Sequence, residues 1–176
     1  MGQSLNASYY IDGRPQLHRF TLDRYIALTK YNFGFCSFHL PIAASMYLTG
    51  ICDAKLHKRV KTVLLELGHL FQAQKDFLDC FGDEMGTDIS SGRCTWFLIA
   101  ALERANPAQK QILEDHYGRE DPESQQVVRH LYEQLNLSSQ YLVYEGARLN
   151  LVRRLIEQIP NNIPHSLFAN LIEFYR

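Results

Sequence analysis

The sequence predicts an all-α fold. Apolar residues recur at intervals of three and four rather than two along nearly the whole chain, two of the segments marked in this way are long and strongly apolar, and pairs of a capping residue followed by proline punctuate the rest. With 176 residues and 46% hydrophobic content, the chain has the makings of one globular domain with a single core rather than a disordered segment. No sheet is expected.

The elements follow in order. A first helix runs from about Leu22 to Leu48, opened by Thr21 as N-cap, bent by Pro41 and ended at Gly50. A second runs from about Ala54 to Phe81, with Val60, Val63, Leu64, Leu67, Phe71 and Leu78 as its apolar stripe. A loop containing Gly82, Gly86 and Gly92 leads to a third helix, Cys94 to Ala105. Asn106-Pro107 and Asp121-Pro122 open the fourth and fifth, since proline tolerates the first helical turn, where its missing N–H has no partner to lose. Ser138 or Ser139 opens a sixth, closed by Pro160, and a terminal helix follows Pro164 to Arg176.

Eighteen Lys and Arg against 19 Asp and Glu leave a formal charge of -1, so neither nucleic acid nor an anionic membrane is an expected partner. The N-terminus lacks a basic start followed by an apolar run, and no stretch reaches the roughly 18 apolar residues that span a bilayer; a cytoplasmic or nuclear location is expected. Cys36, Cys52, Cys80 and Cys94 stand singly, without the paired short spacings of thiolate metal sites, and read as reduced, mostly buried thiols. Trp96, Phe33, Phe35 and Phe38 read as core, and the seven histidines show no nucleophile–base or zinc pattern.

Chemistry concentrates on the second helix. Gln72, Asp76, Asp79 and Asp83 are spaced by four, three and four, which at about 100° per residue puts them within a sector roughly 60° wide. Such a row can hold Mg²⁺ through one or two oxygens while phosphate and water complete the shell. The plainer reading is the solvated face of an amphipathic helix.

The wording of this helix, Phe71-Gln72-Ala73-Gln74-Lys75-Asp76-Phe77-Leu78-Asp79, resembles the second aspartate-rich motif, FQxQDDYLD, of the trans-prenyltransferases of the farnesyl diphosphate synthase type. Ser37 to Ala44 is similar to that family's SFYLPVAA helix, Gly86-Thr87-Asp88-Ile89 with Arg93-Cys94-Thr95-Trp96 to its GTDI…KCSW segment, and Glu114 to Gly118 to its EENYG. Met1 to Asn6 resembles its GQxLD. The resemblance covers the whole chain and corresponds to the C-terminal half of the isoprenoid synthase helical bundle. The upstream half, with the first DDxxD motif, has no counterpart in these residues. Two facing aspartate-rich helices would then hold Mg²⁺ on an allylic diphosphate, whose ionisation gives a carbocation attacked by isopentenyl diphosphate. Asp76, Asp79 and Asp88 match metal-associated positions, and Gln72 and Arg93 match substrate-contacting ones.

Several positions depart from the pattern. Lys75 stands where the family has the first aspartate of the motif; its ammonium repels Mg²⁺ and is placed to pair with Asp79. Asn32 replaces a diphosphate-binding lysine, Glu84 aligns with another, and the basic tail shrinks to Phe174-Tyr175-Arg176. The plain structural readings are that Asp88 caps its loop, Arg93 is a surface charge and Gln72 an exposed helix residue. The expectation is a synthase-like protein, with Mg²⁺ binding weak or lost, inactive alone and acting as a binding partner. A homodimer or a heterodimer with an intact synthase would cover faces left open in a half bundle, and prenyl diphosphate is a candidate ligand. The alternative is an active prenyltransferase whose other half is supplied separately.

Overall fold

The computed structural model describes residues 10–11, 14–82, 86–160 and 162–175. Two compact units emerge, Met1–Leu28 with Ala73–Val143 and Thr29–Gln72 with Tyr144–Arg176. The helices are α1 (Leu22–Thr29), α2 (Leu40–Leu48), α3 (Ala54–Phe81), α4 (Trp96–Arg104), α5 (Pro107–His116), α6 (Pro122–Gln134), α7 (Leu137–Glu157) and α8 (His165–Tyr175). The all-α class holds. The sheet-free expectation fails in one detail: β1 (Tyr10–Ile11) and β2 (Arg14–Pro15) pair antiparallel, with Tyr10 opposite Pro15. Pairing this short leaves no alternating pattern long enough to read in the sequence.

The helix expected over Leu22–Leu48 is wound in three ways. Thr21 does open α1, its Oγ1 accepting the Arg24 N–H at 3.4 Å. Lys30–His39 then widens into a π-helix, in which the Leu40 N–H donates to the Phe35 carbonyl five residues back. Pro41 falls in the first turn of α2, where its missing N–H is tolerated, rather than in the middle of one continuous α-helix. Gly50 ends the run with φ +80°.

Elsewhere the capping grammar is realised. Asn106 and Gln109 form a capping box at α5, and Asp121 Oδ1 accepts the Ser124 N–H at 2.7 Å at α6. The third helix starts two residues later than expected, at Trp96, because Thr95 caps it. The sixth starts at Leu137, following Asn136 in the left-handed region (φ 49°), and not at the serines.

In the unit built on Thr29–Gln72, the core joins Leu56, Val60, Val63, Leu64, Leu67 and Leu70 of α3 to Leu149 and Val152 of α7 and Phe168 of α8. Gly34 and Gly68 meet within it. A Cβ on Gly68 would fall 2.2 Å from the Gly34 Cα, so this approach requires glycine. Phe38 is buried, and Phe33 packs half-buried against it. In the other unit Ala73, Asp76 and Cys80 continue the buried stripe of α3. Leu78, expected on that stripe, lies on another side of the helix and is 54% exposed. The cysteine expectation is corrected in part, since Cys36 and Cys52 are exposed.

The same core carries a polar chain. Glu66 is buried and paired with Lys30 and, at 3.3 Å, with Arg148. His69, fully buried, shares hydrogen bonds through Nδ1 with the Thr29 hydroxyl at 2.7 Å and through Nε2 with the Tyr144 hydroxyl. Burial first, then the charges of Arg148 and Lys30, push its pKa down to about 3.

Two outcomes are expected. Gly68→Ala should cost at least about 1–3 kcal/mol, because backbone rather than a side-chain tip blocks the new methyl, and calorimetry would show a lowered Tm. His69 is neutral in the fold but protonates near its ordinary value when unfolded. Its contribution is therefore complete above about pH 6.5 and is lost as pH falls toward 3. Between pH 6.5 and 4, the Tm of His69→Gln should fall less steeply than that of the unaltered protein.

Candidate functional site

The C-terminal turns of α3 and the loop preceding α4 bring three of the sequence-predicted carboxylates into one unit. Asp76 is 1% exposed, and its Oδ2 accepts both the Tyr25 hydroxyl at 2.6 Å and the Trp96 backbone N–H at 2.8 Å. The second bond satisfies a donor of the first turn of α4 that has no partner inside that helix, while Thr95 Oγ1 accepts the Leu98 N–H beside it. A carboxylate is favoured at this end of a helix, where the partial charge is positive.

Asp79 turns to the loop. Its Oδ1 accepts the Asp88 N–H and its Oδ2 the Thr87 N–H, each at 3.0 Å. Gly86 makes room for this carboxylate, since a Cβ there would lie 2.1 Å from Asp79 Cγ. Asp88 is buried, and its Oδ1 accepts from Arg93 at 2.9 Å. Burial raises the Asp88 pKa, while Arg93 opposes that rise. The Arg129 guanidinium donates to the Cys80 and Asp79 carbonyls, closing the C-terminus of α3. Tyr117, from the segment read as EENYG-like, donates its hydroxyl to the Arg93 carbonyl at 2.7 Å, and the Gly118 N–H donates to the Ile89 carbonyl at 2.9 Å. That segment thus braces the GTDI-like loop.

Lys75 is exposed and makes no ion pair with the described residues, so the pair expected with Asp79 does not form. Both Asp79 oxygens are instead committed to backbone N–H groups. Lys75 acts on Asp88 through its field alone. Gln72, half-buried rather than exposed, belongs to the other unit, and Asn32 is exposed on the π-helix. Asp83, Glu84, the Met1–Asn6 stretch and Arg176 lie outside the described residues. Mg²⁺ asks for near-octahedral oxygen ligands. With Asp76, Asp79 and Asp88 spent on internal donors and two of them buried, the set as placed does not fit that ion. Spacing along α3 found Asp76 and Asp79, and the family resemblance found Asp88 and the segment that holds Tyr117; Tyr25 and Arg129 left no local signal, because their partners lie 51 and 49 to 50 residues away.

Comparison with known proteins places this architecture. The family model described as polyprenyl synthetase matches residues 1–135. The chain belongs to the polyprenyl synthetase family. The farnesyl pyrophosphate synthase of Murgantia histrionica is 43% identical over 97% of this chain and 43% of its own length, and that of Bos taurus is 42% identical over 98% and 50%. A solved farnesyl diphosphate synthase of T. Brucei, complexed with homorisedronate, superposes with TM-score 0.84 at 28% identity, covering 99% of this chain and 53% of that one. The chain spans about half the length of the curated relatives it matches, in keeping with the half-bundle resemblance. The fold expected from the motifs, the all-α isoprenoid synthase bundle, is the one found.

Within this polyprenyl synthetase chain, Asp76 acts as a tie between α1, α3 and α4. Asp76→Ala should strand a buried hydroxyl and a buried N–H at roughly 1–3 kcal/mol each. Thermal melting should show the loss equally in EDTA and in millimolar Mg²⁺; a loss confined to Mg²⁺ buffer would restore Asp76 as a metal ligand.

Proposed function

We propose that the chain is a farnesyl diphosphate synthase-like protein that does not condense prenyl diphosphates by itself and works by binding, to a second copy or to an intact synthase. The observation that carries this reading is the commitment of Asp76, Asp79 and Asp88 to internal donors, with Lys75 beside them. Departure of a diphosphate requires cationic groups that take up its developing charge. Carboxylates engaged in this way recruit no dication, and an ammonium on the same helix repels one. Mg²⁺ binding is accordingly weak or lost. Arg93 remains as a contact for a prenyl diphosphate, its side chain 54% exposed even while paired with Asp88.

Exposed apolar side chains support the binding role. Leu40 and Leu48 of α2 are 54% and 88% exposed, and in the other unit Leu142 and Val143 of α7 stand similarly open. No helix among the described residues is long and apolar enough to cross a membrane. Four free thiols accord with work in the reducing cytoplasm.

The test is incubation of the purified chain with Mg²⁺, radiolabelled isopentenyl diphosphate, and dimethylallyl or geranyl diphosphate. No labelled product above a no-protein control is expected. Product from the chain alone overturns the proposal, and product formed only after the N-terminal half of a relative is added favours the alternative of a transferase assembled from two parts. Sedimentation should show a dimer or a larger species; a monodisperse monomer with a cooperative melt would count against self-association.

A further inference from the structure

The near-neutral formal charge of the chain conceals a division. The Thr29–Gln72 and Tyr144–Arg176 unit carries nine Lys and Arg against five Asp and Glu, and the other unit nine against fourteen. Within the first unit the cations gather at the start of α3, where Lys55, Lys58, Arg59 and Lys61 follow one another with no acid among them. Lys55, Lys58 and Arg59 line a cleft of about 320 Å³ with Thr62, Leu155 and Gln158.

Helix stability does not explain this cluster. Positions 55, 58 and 59 stand three and four apart, so their like charges repel across one helix face. They also sit in the turns where the helix end is already positive, and α3 has no acid in its first turn to offset them. Asp53, the nearest acid in sequence, spends Oδ1 on the Leu56 N–H at 2.6 Å. Lys55 and Lys58 make no ion pair with the described residues. Arg59 donates one N–H to the Gln158 carbonyl at 3.0 Å, which anchors the guanidinium at the cleft with four of its five N–H donors uncommitted by that bond.

We propose that this cleft is an anion site that takes a phosphate-bearing group through Lys55, Lys58 and Arg59. The repulsion among the three cations is relieved when a group carrying about two negative charges lies between them, and the cleft has room for one phosphate together with part of the molecule that bears it. Leu155 gives that bearer an apolar wall. The site is separate from the aspartate row in residues and in chemistry, and it stands whether or not the proposed loss of prenyl transfer does.

The test uses the full chain and two probes at constant ionic strength: inorganic phosphate, read by melting temperature against chloride, and phosphatidylcholine vesicles containing phosphatidylserine, read by co-sedimentation. A rise in Tm with phosphate, with the half-saturating concentration raised about tenfold in Lys55→Gln/Lys58→Gln, supports the site and identifies a free phosphate compound. Vesicle binding lost in the same variant, without a phosphate response, supports the site and identifies a lipid headgroup. Both substituted side chains are exposed, so the variant should melt normally in chloride. Lys110→Gln, at an exposed lysine of the other unit, should leave binding unchanged. Binding of neither probe, equal binding by the double variant, or an equal loss in Lys110→Gln overturns the proposal.

Discussion

A carboxylate withdrawn from water is tolerated only where donors replace its hydration, and at Asp76 the Tyr25 hydroxyl and the Trp96 N–H do so. Around this point the unit that contains Ala73–Val143 is organised. Three helices distant in sequence are brought to one oxygen atom, and the aromatic group of Phe77, Phe81, Trp96, Phe97 and Tyr141 packs in the same unit. One turn further along α3, Asp79 plays the same part for the loop, and Gly86 has no side chain because that carboxylate occupies the space. A helix face that resembles a metal-binding motif thus also supplies hydrogen-bond acceptors within this unit.

The other unit obeys the same accounting with different partners. Glu66 and His69 are a turn apart on α3 and buried, one answered by Lys30 and Arg148, the other by two hydroxyls. Polar groups held so tightly set the register of the packed helices as well as satisfying themselves. The Gly34–Gly68 approach and the wide winding of Lys30–His39 belong to the same packing, because backbones this close leave no freedom in the facing residues.

These constraints bear on function through a single consideration, where charge is offset. Asp76, Asp79 and Asp88 are held by internal donors, which supports the proposal that this polyprenyl synthetase family chain does not ionise a prenyl diphosphate by itself. Lys55 and Lys58 form no ion pair with a described residue, and this is why we propose an external anion there. A net charge of -1 had argued against anionic partners, but an average over the chain carries no information about how charge is divided between its two units.

By itself the sequence determined the helical class, the limits of α3 and the restarts at Asn106-Pro107 and Asp121-Pro122, because periodicity and capping are local and each residue's neighbours suffice to express them. It also determined the family, through motifs that stand in order along the chain. Only the tertiary structure decided that Lys30–His39 winds as a π-helix, that Leu78 faces out and that Lys75 leaves Asp79 alone, since each depends on a partner brought in from elsewhere: Gly68 against Gly34, the Asp76 face turned toward Tyr25 and Trp96, and the N–H groups of Thr87 and Asp88. Spacing along a helix says which side chains share a face; what that face meets is fixed by long-range packing, and packing is what brought hydrogen-bond donors to Asp76 and Asp79.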